Sequence, residues 1–178
     1  MTKVINLFGG PGCGKSTLAA ELFVKLKRDG KNVELVREYV KDWAWQNRKV
    51  GIYDQLHITG KQASKEVGLY GKVDVIVTDS PLLLSPFYHE YYSNRPSYVL
   101  PAVVGLMEQA QNNGVTYHNF VLSREKAYNQ AGRYETEGEA IAIDEAIRDF
   151  LHTESIPFTW IVAADTIKAH LILNEIGE

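Results

Sequence analysis

The chain alternates two hydrophobic rhythms. Short apolar runs rich in β-branched residues recur at 3–8 (KVINLF), 32–38 (NVELVRE), 73–79 (VDVIVTD), 117–123 (YHNFVLS) and 158–165 (FTWIVAAD). Runs of this kind read as strands covered on both faces of a parallel sheet. Between them, apolar residues repeat at helical spacing. Leu18, Leu22, Phe23 and Leu26 share a face of 16–29. Ile143, Ile147, Phe150 and Leu151 do so in 139–152, and Ile167, Leu171 and Ile176 fall in 166–176. Segments 52–69 and 97–112 also read as helices. TEGE (136–139) carries an N-cap threonine, Thr136, and a box glutamate, Glu139. Strands alternating with helices imply right-handed βαβ units. The predicted fold is α/β: a three-layer α/β/α domain with a five-stranded parallel sheet. No linker, repeat or low-complexity tract divides residues 1–178, so one domain is expected.

Composition changes this picture little. A chain of 178 residues can bury a sizeable core. Its 19 Lys+Arg and 22 Asp+Glu give a net charge of −3, which offers no global attraction to nucleic acid but leaves a local basic groove open. The single cysteine, Cys13, excludes an intrachain disulfide and a thiolate zinc cluster. It points to a reducing, cytoplasmic setting. MTKVINLFGG is too short for a signal peptide, and no apolar run approaches the roughly 18 residues of a membrane span.

The stretch GGPGCGKS (9–16) carries the sharpest chemistry. It fits G-x-x-x-x-G-K-[ST] and lies between a predicted strand and a predicted helix. Phosphate oxygens need several inward N–H donors, and only a loop nearly free of side chains lets backbone wrap them so closely. Gly9, Gly10, Pro11, Gly12, Cys13, Gly14, Lys15, Ser16 and Thr17 are therefore the expected nucleotide-binding residues. The first turn of the following helix adds unpaired N–H groups and a positive dipole end. Lys15 is the cation for the β and γ phosphates, and Ser16 offers its hydroxyl to Mg²⁺. Cys13 reads as a small residue that fits the loop.

DVIVTDSP (74–81) ends an apolar strand in Asp79, the second Mg²⁺-side acid that such a site uses. The N/T-K-x-D stretch that reads guanine is missing, since 123–126 is SREK. A small kinase fits the length better than a translocating ATPase. Kinase chemistry needs an oriented acceptor and cations around the transferring phosphoryl group. Glu38, in Arg37-Glu38-Tyr39 at the end of the second strand, lies where strand ends line a ligand crevice. It is the candidate to hold or deprotonate an acceptor hydroxyl. The segment 123–139 reads as a glycine-containing, Arg-bearing lid. Its Arg124 and Arg133 are the candidate phosphate clamps, and Lys126 and Gly132 lie within it.

Together, the GGPGCGKS loop, Glu38, the DSP after the third strand and the two lid arginines resemble the nucleoside and nucleotide kinase branch of P-loop proteins. The pattern looks like that of a deoxynucleoside kinase or a nicotinamide riboside kinase. The resemblance implies that Glu38 serves the acceptor hydroxyl while Arg124 and Arg133 serve the phosphates. YNQAGRYETEGEA (128–140) is also similar to small bacteriophage-type P-loop proteins. Some phage kinases of that broader class phosphorylate hydroxymethylated pyrimidines within DNA. Two departures concern the acceptor: Tyr39 stands where deoxynucleoside kinases have Pro, and Ser80 where they have Arg.

Candidate acceptor residues follow Glu38: Trp43, Trp45, Tyr53, Gln55, His57 and Gln62. Aromatics can sandwich a base, and Gln can read its edge. A spacing of two cannot place both tryptophans on one helical face. SPFYHEYYSNRPSY (85–98) adds Tyr88, Tyr91, Tyr92 and Tyr98 with His89 and Arg95, as an acceptor wall, a homodimer surface or a stacking platform for nucleic acid. Lys41, Arg48, Lys49, Lys61 and Lys65 are a candidate basic rim. The expectation is an ATP- and Mg²⁺-dependent kinase acting on a hydroxyl of a small, nucleoside-like acceptor. A nucleoside monophosphate kinase and a kinase of a modified base in DNA are related alternatives. An ATP-binding switch or ATPase without an acceptor is the alternative from a different class.

Overall fold

The computed structural model describes residues 1–125, 128–129 and 135–178. Among these, five strands form one parallel sheet: β1 (Thr2–Phe8), β2 (Val33–Val36), β3 (Val75–Thr78), β4 (Val115–Leu122) and β5 (Thr159–Ile161). Their order is β2-β3-β1-β4-β5. The helices are α1 (Lys15–Arg28), α2 (Lys41–Trp45), α3 (Gln55–Val67), α4 (Leu84–Ser93), α5 (Leu100–Asn112), α6 (Glu137–Thr153) and α7 (Asp165–Ile176), with a 3-10 turn over Ile52–Asp54.

Alternation along the central strand builds the layers. Ile5 and Leu7 of β1 face a core shared with Leu18 and Leu22 of α1 and Ala169 and Ile172 of α7. Phe8 faces the opposite core, packed with Leu83 and Phe87 of the α4 region and Ile143, Ile147 and Leu151 of α6. Val4 and Ile76 extend that side with Ala110 of α5. The result is the three-layer α/β/α arrangement expected from the apolar pattern. Asn6 is the polar interruption in β1. Its Nδ2 donates to Asn119 Oδ1 of β4 at 2.8 Å, and Asn119 Nδ2 donates to the Pro157 carbonyl at 2.9 Å. Each amide therefore meets a partner despite its burial.

Several strands are shorter than their apolar runs. β2 stops at Val36, in register with Thr78 at the end of β3, its only partner. The next acid pair then bonds outside the ladder: Glu38 N–H donates to Asp79 Oδ1 at 3.0 Å. β5 is an edge strand paired with β4 only from Phe120 to Leu122, so the chain leaves the sheet after Ile161 and Val162 is exposed. Residue 165 thus begins α7 rather than ending a strand. The predicted helix at 52–69 opens with the 3-10 turn. The tyrosine-rich segment forms α4, which ends where Asn94 takes a left-handed conformation at φ 52°. The short α2 was not expected as a separate element. The capping box holds: the Thr136 hydroxyl accepts from Glu139 N–H, and Glu139 reaches back to Thr136 N–H at 2.7 Å. No described helix is long and apolar enough to cross a membrane.

Candidate active site

The chain leaves β1 at Phe8 and passes through 9–14 into α1, whose first residue is Lys15. Two glycines here are required by space. A Cβ at Gly10 would lie 2.7 Å from the Ala140 carbonyl of α6. Gly12 has φ +80°, and a Cβ there would lie 3.0 Å from the Tyr128 ring and 3.3 Å from Arg124 Nη1. The loop is therefore pressed against α6 and Arg124. Lys15 Nζ donates to the carbonyls of Gly9 (2.5 Å) and Gly10 (3.0 Å), which lays its ammonium across the loop. Cys13 is buried, with Sγ filling the space beside Gly9, in keeping with a small residue that fits.

A cavity of about 720 Å³ opens over this loop. Its floor is Pro11, Gly12, Gly14, Lys15, Ser16 and Thr17. Asp79 and Ser80 enter from the end of β3, and Glu38 from beyond β2. One wall is α2 with Val40, Lys41, Ala44 and Trp45, followed by Lys49 and Val50. The other comes from α3 with Gln55 and Ile58, and from α4 with Leu84, Ser85, Tyr88 and Tyr92. The parallel sheet thus delivers β1, β2 and β3 ends to one crevice.

Glu38 is half-buried, and burial is the main cause that pushes its carboxyl above the usual range. Asp79 pushes the same way, while Lys15 and Lys41 oppose it. Tyr88 is held as a neutral phenol well above its ordinary range, first by burial and then by Glu38 and Glu135. Its ring stacks on Tyr92 at 6.0 Å, and Tyr92 donates to Glu135 Oε1 at 3.1 Å.

The donor set suits Mg²⁺. Ser16 and Asp79 offer hard oxygens to the same cavity, and Asp79 is 4% exposed with Oδ1 already oriented by Glu38 N–H. A hydroxyl and one carboxylate leave positions for water and phosphate, which is how Mg²⁺ is commonly held. Among the described residues, no cluster of three His, Cys, Asp or Glu forms an all-protein metal cage.

The lid expectation divides. Arg133 and Lys126 lie outside the described residues. Glu137, Gly138 and Glu139 belong to α6, so the predicted segment ends earlier than 139. Arg124, just beyond the end of β4, is pinned to α6: Nε and Nη2 each lie 2.8 Å from Asp144 Oδ2, and Nη2 donates to the Ala140 carbonyl at 3.3 Å.

The acceptor candidates divide as well. Trp45, Gln55, Tyr88 and Tyr92 line the cavity. Trp43 is buried beneath it, with the Arg48 guanidinium 3.4 Å above its ring and His57 stacked at 6.3 Å. The two tryptophans thus face apart, as their spacing requires. His57 bonds the Tyr39 hydroxyl at 3.1 Å, and Gln62 Oε1 accepts from Tyr39 N–H at 3.1 Å, so both hold the scaffold. Tyr53 is 86% exposed and is not among the cavity residues. Tyr91 packs on Phe87 instead. Of the basic rim, Lys41 and Lys49 line the cavity; Arg48, Lys61 and Lys65 do not. A second cavity of about 260 Å³ opens beside Gly14 and Thr17, edged by Leu122, Asp165, Thr166 and the buried Lys168.

Sequence reasoning missed Ser85 and Asp144. Ser85 is 8% exposed and lines the cavity. Asp144 had a usable signal, since it interrupts the apolar stripe of Ala140, Ile143, Ile147 and Leu151 on α6.

The site and sheet define a P-loop nucleotide-binding domain. A family model described as an AAA domain matches residues 4–167, and the chain belongs to that family. Among solved structures, one of deoxyadenosine kinase from M. mycoides, with products dCMP and a flexible dCDP bound, is 18% identical at TM-score 0.59 over 99% of both chains. A structure of that kinase with dATP bound is 17% identical at TM-score 0.56 over 100% of both chains. A mutant of the Mycobacterium tuberculosis APS kinase is 12% identical at TM-score 0.55, over 99% of this chain and 98% of that one. These likenesses establish the fold.

Proposed function

We propose that the protein is an ATP- and Mg²⁺-dependent kinase that transfers the γ-phosphate to a hydroxyl of a nucleoside-like acceptor. One observation carries this reading: a half-buried carboxylate, Glu38, shares a cavity with Lys15 and Asp79, and the walls of that cavity include Trp45, Tyr88, Tyr92 and Gln55. Phosphates would lie on the Gly12–Thr17 backbone, with the donor base toward the smaller cavity. Mg²⁺ held by Ser16 and Asp79 would supply charge neutralisation there. Glu38 accepts the proton of the acceptor hydroxyl as the hydroxyl oxygen bonds the γ-phosphorus and the bond from that phosphorus to the β,γ-bridging oxygen breaks, releasing ADP. Burial, which raises the affinity of Glu38 for a proton, suits a group that must take one. Lys15 and Arg124 bear on the negative charge that spreads over the phosphates. Trp45 and Tyr88 are faces for a base or sugar, and Gln55 and Ser85 are buried polar groups to orient it. Fold likeness to two kinases supports the class.

Lys41 and Lys49 favour a second reading, in which the acceptor already carries a phosphate and is a nucleoside monophosphate. A labelled-ATP screen separates the two. It offers nucleosides, their monophosphates, nicotinamide riboside, and DNA with or without hydroxymethylated pyrimidines. Transfer to one of these is expected, abolished by Lys15→Ala. Glu38→Gln should lower kcat by roughly 10²- to 10⁴-fold with ATP affinity kept. Phosphate release indifferent to every acceptor, or a silent Glu38→Gln, sinks the proposal.

A further inference from the structure

Asp144 lies on α6, far in sequence from every residue of the phosphate loop, yet its carboxylate joins the loop to Arg124. Oδ1 accepts from Gly10 N–H. Oδ2 lies 2.8 Å from both Nε and Nη2 of Arg124. The two side chains are largely buried, at 12% and 17% exposure for Arg124 and Asp144. With Nε and Nη2 engaged, the rigid plane of the guanidinium leaves one edge free. That edge is Nη1, which is buried and has no hydrogen-bond partner among the described residues. It faces the loop, 3.3 Å from where a Gly12 Cβ would stand. A buried, unpaired, charged donor costs free energy unless something comes to meet it.

We infer that Asp144 is a positioning residue: it fixes Arg124 so that Nη1 is presented, without lid movement, to the phosphates of the nucleotide on the Gly12 loop. The same carboxylate fixes the backbone at Gly10, so loop and arginine move as one body. The ligand class is a nucleoside di- or triphosphate, and the inference rests on the reading of the loop as its cradle. A short, aligned bond to a charged phosphate oxygen is worth about a tenfold change in affinity or more.

The test reads binding alone, so it is separate from whether any acceptor is phosphorylated. Calorimetric affinities for ATP, ADP and adenosine are measured for the full chain with Asp144→Asn, Arg124→Gln and the double variant. Asp144→Asn should weaken ATP and ADP by roughly tenfold and leave adenosine unchanged. The double variant should bind no more weakly than Arg124→Gln, because asparagine keeps an oxygen to accept Gly10 N–H and the charge it loses acts through Arg124. Full additivity of the two losses, or equal weakening of adenosine, overturns the inference. If Asp144→Asn does not fold, Arg124→Lys decides. It keeps the charge but lacks a planar fork, and wild-type ATP affinity in that variant overturns the inference.

Discussion

Glu66 offers a perturbation whose size follows from the structure. It is fully buried on α3, where Oε1 accepts from the Tyr70 hydroxyl at 2.6 Å and Oε2 has no partner among the described residues. The Tyr70 hydroxyl also meets that of Tyr117 on β4 at 2.8 Å, so this group ties the C-terminal end of α3 to the sheet. Burial pushes the carboxyl from 4.5 up to about 7, against the Tyr70 hydrogen bond, which lowers it. Between those values the folded chain holds a proton that the unfolded chain has released. Stability therefore falls as pH rises through that window, and levels above it. At about 1.4 kcal/mol per pKa unit, the loss is about 3 kcal/mol. Glu66→Gln removes the titration while keeping an acceptor for Tyr70. The new buried amide N–H₂ carries its own cost, but that cost does not vary with pH. Urea unfolding of both proteins across this pH range isolates the effect. The stability of Glu66→Gln minus that of wild type should rise by about 3 kcal/mol from pH 4.5 to 7. A difference constant across the window refutes the reasoning.

Two further outcomes test fold and site separately. Thr136→Ala removes the oxygen that accepts Glu139 N–H at the start of α6, and should cost about 1 kcal/mol in thermal or urea unfolding, with Thr136→Ser retaining most of it. Gln55→Leu replaces a buried amide that faces the cavity with a slightly shorter apolar group; steady-state kinetics should show a raised KM for the acceptor and an unchanged KM for ATP.

What the sequence made legible was whatever local chemistry dictates. GGPGCGKS is readable because it constrains residue type and backbone at once, and the strand before it and helix after it form where expected. The five apolar runs each became a strand; β1 and β3 are buried on both faces, and such a run needs no partner to be recognised. Their ends were not legible. Val36 and Ile161 are last in their strands because Thr78 and Leu122 are last opposite them, and register is a property of two segments. For that reason Glu38, read as a strand end, instead lies beyond β2, bonded to Asp79.

The polar contacts made inside the helical layers were hidden for a different reason. Gln62, Glu66, His89, Asp144 and Lys168 are polar residues on inward-facing helical positions, four of them buried and Asp144 nearly so. Such a residue announces that it must bond to something, since an unpaired polar group inside a core is costly. The sequence cannot say to what. Gln62 meets Tyr39, Glu66 meets Tyr70, Asp144 meets Gly10 and Arg124, and Lys168 meets the Ser123 carbonyl at 2.7 Å. His89 meets the Tyr98 ring at 4.5 Å. Most of these partners lie on another element, and long sequence separation hides them from any local pattern. The two contacts nearest the phosphate loop, Asp144 to Arg124 and Lys168 to Ser123, both anchor the chain just after β4. The exit of β4 is therefore fastened from α6 and from α7. A segment fastened so at its root can hold Arg124 in a fixed place.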